Sequence, residues 1–203
     1  MRIEEMLERL GAVIGPPPEG GVAPVPWELA PGVMGFQLPA DYRAFADCYG
    51  SVSIRDELHV YTPSMAPSLA MGKPSGFEGF LHNTTDPYSY CGMLAQAYAE
   101  GDHEECPYPL FPAEGGLLNW GNNYSSDYFF WLMRGPDPDR WPVAAKFDSM
   151  QEWDLFEGGF LEFVLAAVTK AYPYHRDVVP SGERQAGRVR AYLRRNDWAR
   201  NFQ

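Results

Sequence analysis

The stretch between residues 116 and 147 constrains the fold more than any other part of the chain. It holds three short apolar and aromatic runs, at residues 116–120, 128–133 and 143–147, and turn-forming segments rich in glycine, asparagine, proline and aspartate separate them. Short runs bounded in this way are typical of antiparallel strands. We therefore predict a three-stranded meander at 116–147. The apolar residues 156–171 that follow should form a helix covering one face of the sheet.

The chain before the meander carries helical patterns and two short strand patterns. Apolar residues recur at helical spacing in three segments, residues 2–10, 38–49 and 90–100. Gly11 and Gly50 are placed to end the first two helices. Polar and apolar residues alternate at 51–54 and 57–61, which predicts half-buried strands. The whole pattern indicates an α+β fold, in which a mostly antiparallel sheet packs against N-terminal and C-terminal helices.

Two segments rich in proline are predicted to lack regular structure. Six prolines lie between residues 16 and 31, and proline at this density prevents both helices and central strands. We expect an extended arm there, anchored to the core by the large ring of Trp27. Residues 63–87, rich in proline, glycine and serine, should form a long surface loop.

Charge is distributed unevenly along the chain. The net charge is −11, yet residues 28–160 hold 19 acidic and 6 basic residues, whereas residues 161–203 hold 4 acidic and 8 basic ones. Arginines and apolar residues in 188–195 predict a basic amphipathic helix. We expect one domain over residues 1–203, comprising an N-terminal helix and arm at 1–35, a core at about 36–170 and a basic tail at 171–203.

The acidic segment 28–160, which we call the acidic body, indicates what kind of partner the chain could bind. It repels nucleic acid and anionic lipid, and it raises the rate of encounter with a basic protein. A surface that merely keeps the chain soluble is the alternative. The arginines of the tail could bind the acidic body of their own domain or of a second copy, and in the second case the chain would form a homo-oligomer. Alternatively, these arginines could contact nucleic acid or lipid.

The sequence predicts neither a membrane-spanning helix nor a secretory signal. The longest apolar run, residues 160–168 interrupted by Glu162, is about half of the roughly 20 residues that a transmembrane helix needs. The first residues lack a basic segment followed by an apolar one, so we expect a cytoplasmic protein. The three cysteines, without CxxC spacing, are expected to be reduced thiols.

No arrangement of residues with recognisable catalytic chemistry is apparent. Residues 103–106 (HEEC) could ligate a metal, but adjacent side chains rarely point at one centre. Cys48 has Asp47 beside it, which disfavours the thiolate. Sequence motifs for a serine nucleophile or a phosphate-binding loop are missing. We therefore expect no enzyme, no cofactor and no metal site, while a carboxylate-based hydrolase is kept as a remote alternative in so acidic a chain.

Three segments carry a resemblance to a known family. They are residues 38–45 (LPADYRAF) leading to Tyr49-Gly50, residues 111–121 running from FP to WG, and residues 128–131 (YFFW) continuing to residues 160–164 (FLEFV). In this order and spacing they resemble the SUKH superfamily. That superfamily includes Smi/Knr-like cell-wall-assembly regulators and many bacterial immunity proteins. The resemblance covers roughly residues 36–170.

The resemblance implies an α+β fold without catalytic residues and a role as an intracellular binder. Such binders often neutralise a toxin delivered by a neighbouring cell. We expect an immunity protein that binds a basic toxin domain, often a nuclease; the alternative is a regulatory or scaffold protein like the cell-wall-assembly relatives. The predicted contacts are acidic and aromatic side chains at strand ends and turns, where side chains reach solvent. They are Asp56, Glu57, Tyr124, Asp127, Asp137, Asp139, Trp141, Asp148, Glu152 and Asp154.

Overall fold

The structure, a computed structural model, describes residues 1–19, 21–55, 57–63 and 74–179 and the backbone of Val189–Ala191. Its strands are β1 (Val52–Ile54), β2 (Leu58–Val60), β3 (Leu117–Asn122), β4 (Tyr128–Leu132), β5 (Val143–Phe147), β6 (Glu152–Phe156) and β7 (Val189–Ala191). All pair antiparallel in one sheet with the order β6-β5-β4-β3-β2-β1-β7. The predicted α+β class and the central meander are confirmed.

The helices lie on both faces of this sheet. They are α1 (Ile3–Ile14), α2 (Ala30–Met34), α3 (Ala40–Tyr49), α4 (Gly76–Thr85), α5 (Tyr90–Ala99), α6 (Phe160–Val168) and α7 (His175–Val178). Helices α1, α3, α4 and α6 contribute to a large core on one face. Helix α5 and the loop after it cover the other face with a smaller core. Strand β4 is consequently buried on both faces, and its residues from Phe129 to Leu132 are inaccessible to solvent.

Aromatic rings fix the helices against the large core. The ring of Tyr42 on α3 lies 4.8 Å from that of Trp131 on β4 and 5.2 Å from that of Phe160 on α6. Its hydroxyl donates to the Tyr61 carbonyl oxygen at 2.5 Å. The register between β3 and β4 shifts between Asn119 and Gly121, and the Trp120 ring there lies 4.9 Å from that of Phe160. Since edge-to-face ring pairs add about 1 kcal/mol each beyond their burial, this cluster sets the position of α3 and α6 on the sheet.

The first helix continues beyond the glycine predicted to end it. Helix α1 passes through Gly11 and stops only before Gly15, whose φ is 100°. A glycine inside a helix costs about 1 kcal/mol relative to alanine, and burial of Leu10 and Ile14 offsets that cost. A side chain at position 11 would come within 3.2 Å of the Tyr49 hydroxyl. Gly11 therefore serves helix packing.

Both proline-rich segments contain helices that composition did not indicate. A 3-10 turn at Trp27–Leu29 and helix α2 interrupt the predicted arm. Helix α2 tolerates Pro31 because this proline lies in the first helical turn, where a missing N–H costs nothing. Trp27 anchors the arm as predicted, with its ring 6.3 Å from that of Tyr42. Within the predicted surface loop, α4 buries Phe77 and Phe80; residues 64–73 of that loop lie outside the described part.

Three further segments differ from the prediction. Residues 152–156 form strand β6, so the last long helix starts at Phe160 and not at Phe156. Strands β1 and β2, expected to be half-buried, are buried throughout because helices cover the sheet there. Val189–Ala191 is a strand paired with β1, which contradicts a helix at those residues. The rest of the basic tail beyond 179 lies outside the described residues.

Candidate partner-binding surface

The turn between β3 and β4 is held by a buried polar network. Asn123 Nδ2 donates to Asp127 Oδ2 at 2.8 Å and to the Asp177 carbonyl oxygen at 2.6 Å. Asn123 Oδ1 accepts from the Asp127 backbone N–H, and Asp127 Oδ1 accepts from that of Asp148. Desolvation raises the pKa of Asp127, although the hydrogen bonds from Asn123 and Asp148 oppose that shift. These bonds give the turn one defined conformation.

Tyr124 projects from this turn into solvent. Its side chain is 70% exposed, and its ring meets that of His59 edge to face, with centroids 4.5 Å apart. A large aromatic side chain held on a rigid turn is the kind of residue that dominates protein–protein binding energy, because little entropy is lost when it is buried by a partner.

Two of the predicted contact residues do not reach solvent. Asp127 is 1% exposed and Trp141 is 3% exposed. Asp127 is enclosed because its carboxylate binds amides from two neighbouring turns. Trp141 donates from Nε1 to the Gly135 carbonyl oxygen and packs against Phe36. Both residues lie at turns, as predicted, but the prediction that they are exposed is wrong for both.

The turn between β4 and β5 lies at the opposite end of the sheet from Tyr124. Asp137 and Asp139 are both exposed there. Asp137 Oδ1 accepts from the backbone N–H of Asp139 at 3.1 Å, and Asp139 Oδ1 accepts from that of Ala40 at 2.6 Å. Asp139 therefore caps the N-terminus of α3, where a negative charge also stabilises the helix dipole.

The remaining predicted residues lie near the Tyr124 end or along β6. Asp148 is half-buried and Glu152 is exposed. Half-buried Asp154 accepts a hydrogen bond of 2.5 Å from the Tyr172 hydroxyl, and desolvation together with this carboxylate raises the pKa of Tyr172. Glu57 is half-buried, in the turn after β1, and Asp56 lies outside the described residues.

The structure therefore places six of the predicted residues that are not buried at the two ends of the sheet. Because antiparallel strands alternate in direction, the β1–β2, β3–β4 and β5–β6 turns meet at one end of the sheet. That end presents Glu57, Tyr124, Asp148 and Glu152, which we call the turn surface. The exposed Asp137 and Asp139 lie at the other end and belong to a separate site.

A cavity that the sequence did not reveal lies between α1, α3 and α6. It has a volume of about 230 Å³, and its lining includes the carboxylates of Asp41, Asp139 and Glu162. Burial raises the pKa of Asp41, and the charges of Asp139 and Glu162 add to the shift against the backbone hydrogen bonds from Leu161 and Tyr42. No spacing rule links residues 41, 139 and 162, so only the fold brings them together. We call this cavity the acidic pocket.

Each carboxylate of the acidic pocket already accepts backbone hydrogen bonds. Asp41 accepts from Tyr42 at 2.7 Å and from Leu161 at 2.9 Å, near the starts of α3 and α6. Asp139 accepts from the N-terminus of α3, and Glu162 Oε2 accepts from the Gly159 N–H at 3.3 Å. These bonds satisfy amides that a helix leaves unpaired at its N-terminus, so the positions of the three side chains have a structural explanation.

An ion pair between a fully buried lysine and a partly exposed glutamate, on the other face of the sheet, was also missed. Lys146 on β5 is fully buried, and its Nζ lies 3.3 Å from Glu105 Oε2 and 5.8 Å from the Trp153 ring centroid. Trp153 Nε1 donates to the Glu105 carbonyl oxygen. The sequence does not predict that this lysine is buried, because lysines on strands normally face solvent.

The cysteines are poorly suited to nucleophilic chemistry. Burial raises the pKa of Cys91 to about 12 and that of Cys106 to about 11, and burial also raises the pKa of Cys48.

Across the described residues, His, Cys, Asp and Glu side chains form no group of three or more that could hold a metal ion. None of the helices in the described ranges is long and apolar enough to cross a bilayer.

Comparison of the chain with models of protein families, with curated proteins and with solved structures gives no match.

Proposed function

We propose that the chain is a cytoplasmic immunity protein that neutralises a basic toxin domain by binding it. The observation that supports this most is the turn surface, where the exposed ring of Tyr124 stands among carboxylates on a turn fixed by buried hydrogen bonds. The resemblance of residues 36–170 to the SUKH superfamily supports the same class of function.

The turn surface combines the two properties that such binding requires. The charges of Glu57, Asp148 and Glu152 attract a basic partner and speed the encounter. Arg55, two residues before Glu57, donates to the Val168 carbonyl oxygen, so part of its guanidinium is already engaged with the body of the domain. Burial of the Tyr124 ring against the partner would then slow dissociation. A toxin that acts on nucleic acid has a basic groove, and covering that groove blocks its substrate.

Coexpression with the protein encoded by the adjacent gene tests this proposal. We expect the chain to restore growth of cells producing that protein and to copurify with it. Tyr124→Ala and Glu152→Lys should weaken both effects, whereas the matched control Glu78→Lys, an exposed charge change on α4, should not. Absence of both binding and rescue would refute the immunity role. Copurification of housekeeping proteins, with a phenotype in the absence of any toxin, would instead indicate the regulatory alternative.

The acidic pocket favours a second candidate, a carboxylate-based hydrolase. A carboxyl group with a raised pKa beside two further carboxylates could act as a general acid. Against this, the hydrogen bonds to helix-terminal amides explain the same arrangement without a substrate. Glu162→Gln separates the two roles: neutralisation of the toxin should survive this change if the chain acts by binding, and it should be lost if hydrolysis is required.

A further inference from the structure

Strand β6 lies at one edge of the sheet. Its five residues, Glu152–Phe156, pair with β5 in an unbroken register without a bulge. Within the described residues no strand lies on its other side. The outward backbone N–H and C=O groups of such a strand are unpaired and can receive the strand of another chain.

The edge lacks most of the features that protect sheet edges from pairing. Edge strands are commonly protected by proline, lysine or a bulge, and β6 has none of the three. Its charges are the carboxylates of Glu152 and Asp154. Residues 148–162 contain five acidic and no basic residues, of which Glu157 is paired with Arg134 at 3.3 Å.

These charges select among possible occupants. If two copies of β6 paired antiparallel about their centres, Asp154 would lie opposite its own copy, and like charges directly opposite each other destabilise a strand pair. A strand carrying lysine or arginine would instead meet opposite charges. The free edge therefore disfavours self-association through β6 and favours a basic partner strand.

We propose that the basic protein partner adds an extended strand, with basic side chains alternating with apolar ones, to the free edge of β6. This inference rests on the proposed function, because it specifies how the same partner is held. Glu152 belongs both to β6 and to the turn surface, so one partner can engage the Tyr124 ring and the edge together. Main-chain hydrogen bonds would supply affinity, and the carboxylates of β6 would supply charge selectivity.

A pair of synthetic peptides separates strand pairing from simple charge attraction. The probe is a blocked peptide of about eight residues with alternating arginine and valine. The control alternates arginine with proline, which keeps the charge but removes half of the backbone donors. We expect the valine peptide to bind at least about tenfold more tightly by calorimetry. In amide-exchange NMR it should protect alternate N–H groups of β6, whereas the proline peptide should protect none.

A charge change on the strand provides a further check. Glu152→Lys should lower the affinity for the valine peptide by about tenfold, and Glu78→Lys on α4 should leave that affinity unchanged. Equal affinities for the two peptides, or protection confined to other segments, would overturn strand addition. Protection at β7 would place the partner strand at the opposite edge of the sheet and would also overturn the proposal.

The two proposals fail in different ways. If the protein from the adjacent gene binds but leaves the β6 amides unprotected, strand addition is wrong and the immunity role stands. If that protein does not bind, while the valine peptide protects alternate β6 amides, the edge is a site for basic strands and the immunity role is wrong.

Discussion

Single carboxylates in this chain have different roles according to what surrounds them. Asp127 is enclosed in a network of amides, Asp154 binds a tyrosine hydroxyl, and Glu152 faces water. In the sequence all three stand near turns or strand ends, and the same reasoning selected them as contacts. Only burial separates the side chains that stabilise the domain from those free to bind a partner.

Replacing Asp127 should destabilise the fold. Asp127→Ala leaves the Asp148 N–H and the Asn123 amide without their carboxylate acceptor, and we expect the free energy of unfolding to fall by about 2–3 kcal/mol. Urea denaturation measures this loss. Glu152→Ala, which removes an exposed carboxylate, should change stability by no more than about 0.5 kcal/mol. Equal losses in the two variants would contradict the structural role of Asp127.

The raised pKa of Asp41 predicts a pH dependence of stability. Because burial makes this pKa higher in the folded chain than in the unfolded one, the folded state binds more protons between the two pKa values. Stability is therefore lost as pH rises through that interval. Wild type should gain stability relative to Asp41→Asn as the pH falls from neutral toward the ordinary pKa of an aspartate, about 4. Urea denaturation of both proteins at each pH gives the difference, and a constant difference would contradict the prediction.

At the scale of elements, pattern predicted the middle of the chain best. Strands β3, β4 and β5 were predictable because apolar runs alternate with strong turn signals. Strand β6 was missed because Glu152–Phe156 mixes acidic and aromatic residues and leads almost directly into α6. Helix α4 was missed because its glycines and neighbouring prolines suggest a loop, whereas burial of Phe77 and Phe80 overrides that local preference. The acidic pocket joins residues too distant in sequence for any pattern to link.

The pairing of β2 with β3 depends on a glycine. A Cβ at position 121 would lie 2.4 Å from the His59 carbonyl oxygen, which the backbone can relieve only by breaking the pairing. We expect Gly121→Ala to lower the free energy of unfolding by about 3 kcal/mol or more. Gly32→Ala on α2 has open space around its Cβ and should be neutral or stabilising by up to about 1 kcal/mol. Thermal or urea unfolding compares the two variants, and equal effects would refute the steric argument.

At the scale of the whole molecule, the proposed binding combines a long-range charge effect with a local aromatic contact. The net charge of −11 would attract the proposed basic partner from a distance, and the exposed Tyr124 ring would be buried in the contact. Long-range attraction acts on the rate of association, whereas a buried aromatic contact acts on the rate of dissociation. Measurements of the association and dissociation rates should therefore separate the contribution of charge from that of the aromatic contact.

Binding of the protein from the adjacent gene should respond to salt and to Tyr124 in different ways. Raising the ionic strength from about 0.05 M to about 0.5 M should slow association by at least about tenfold, because it screens the carboxylates. Tyr124→Ala should instead speed dissociation by about tenfold or more and change association by less than about threefold. Surface plasmon resonance measures both rates.

Tyr88 provides the matched control for that experiment. It is an equally large side chain, 97% exposed, in the turn before α5, two residues from Tyr90, whose ring stacks on that of Tyr128 at the start of β4. Tyr88→Ala should leave both rates unchanged if the partner's contact is centred on the Tyr124 ring. If Tyr88→Ala speeds dissociation and Tyr124→Ala does not, the partner binds near α5, on the face of the sheet that carries the smaller core.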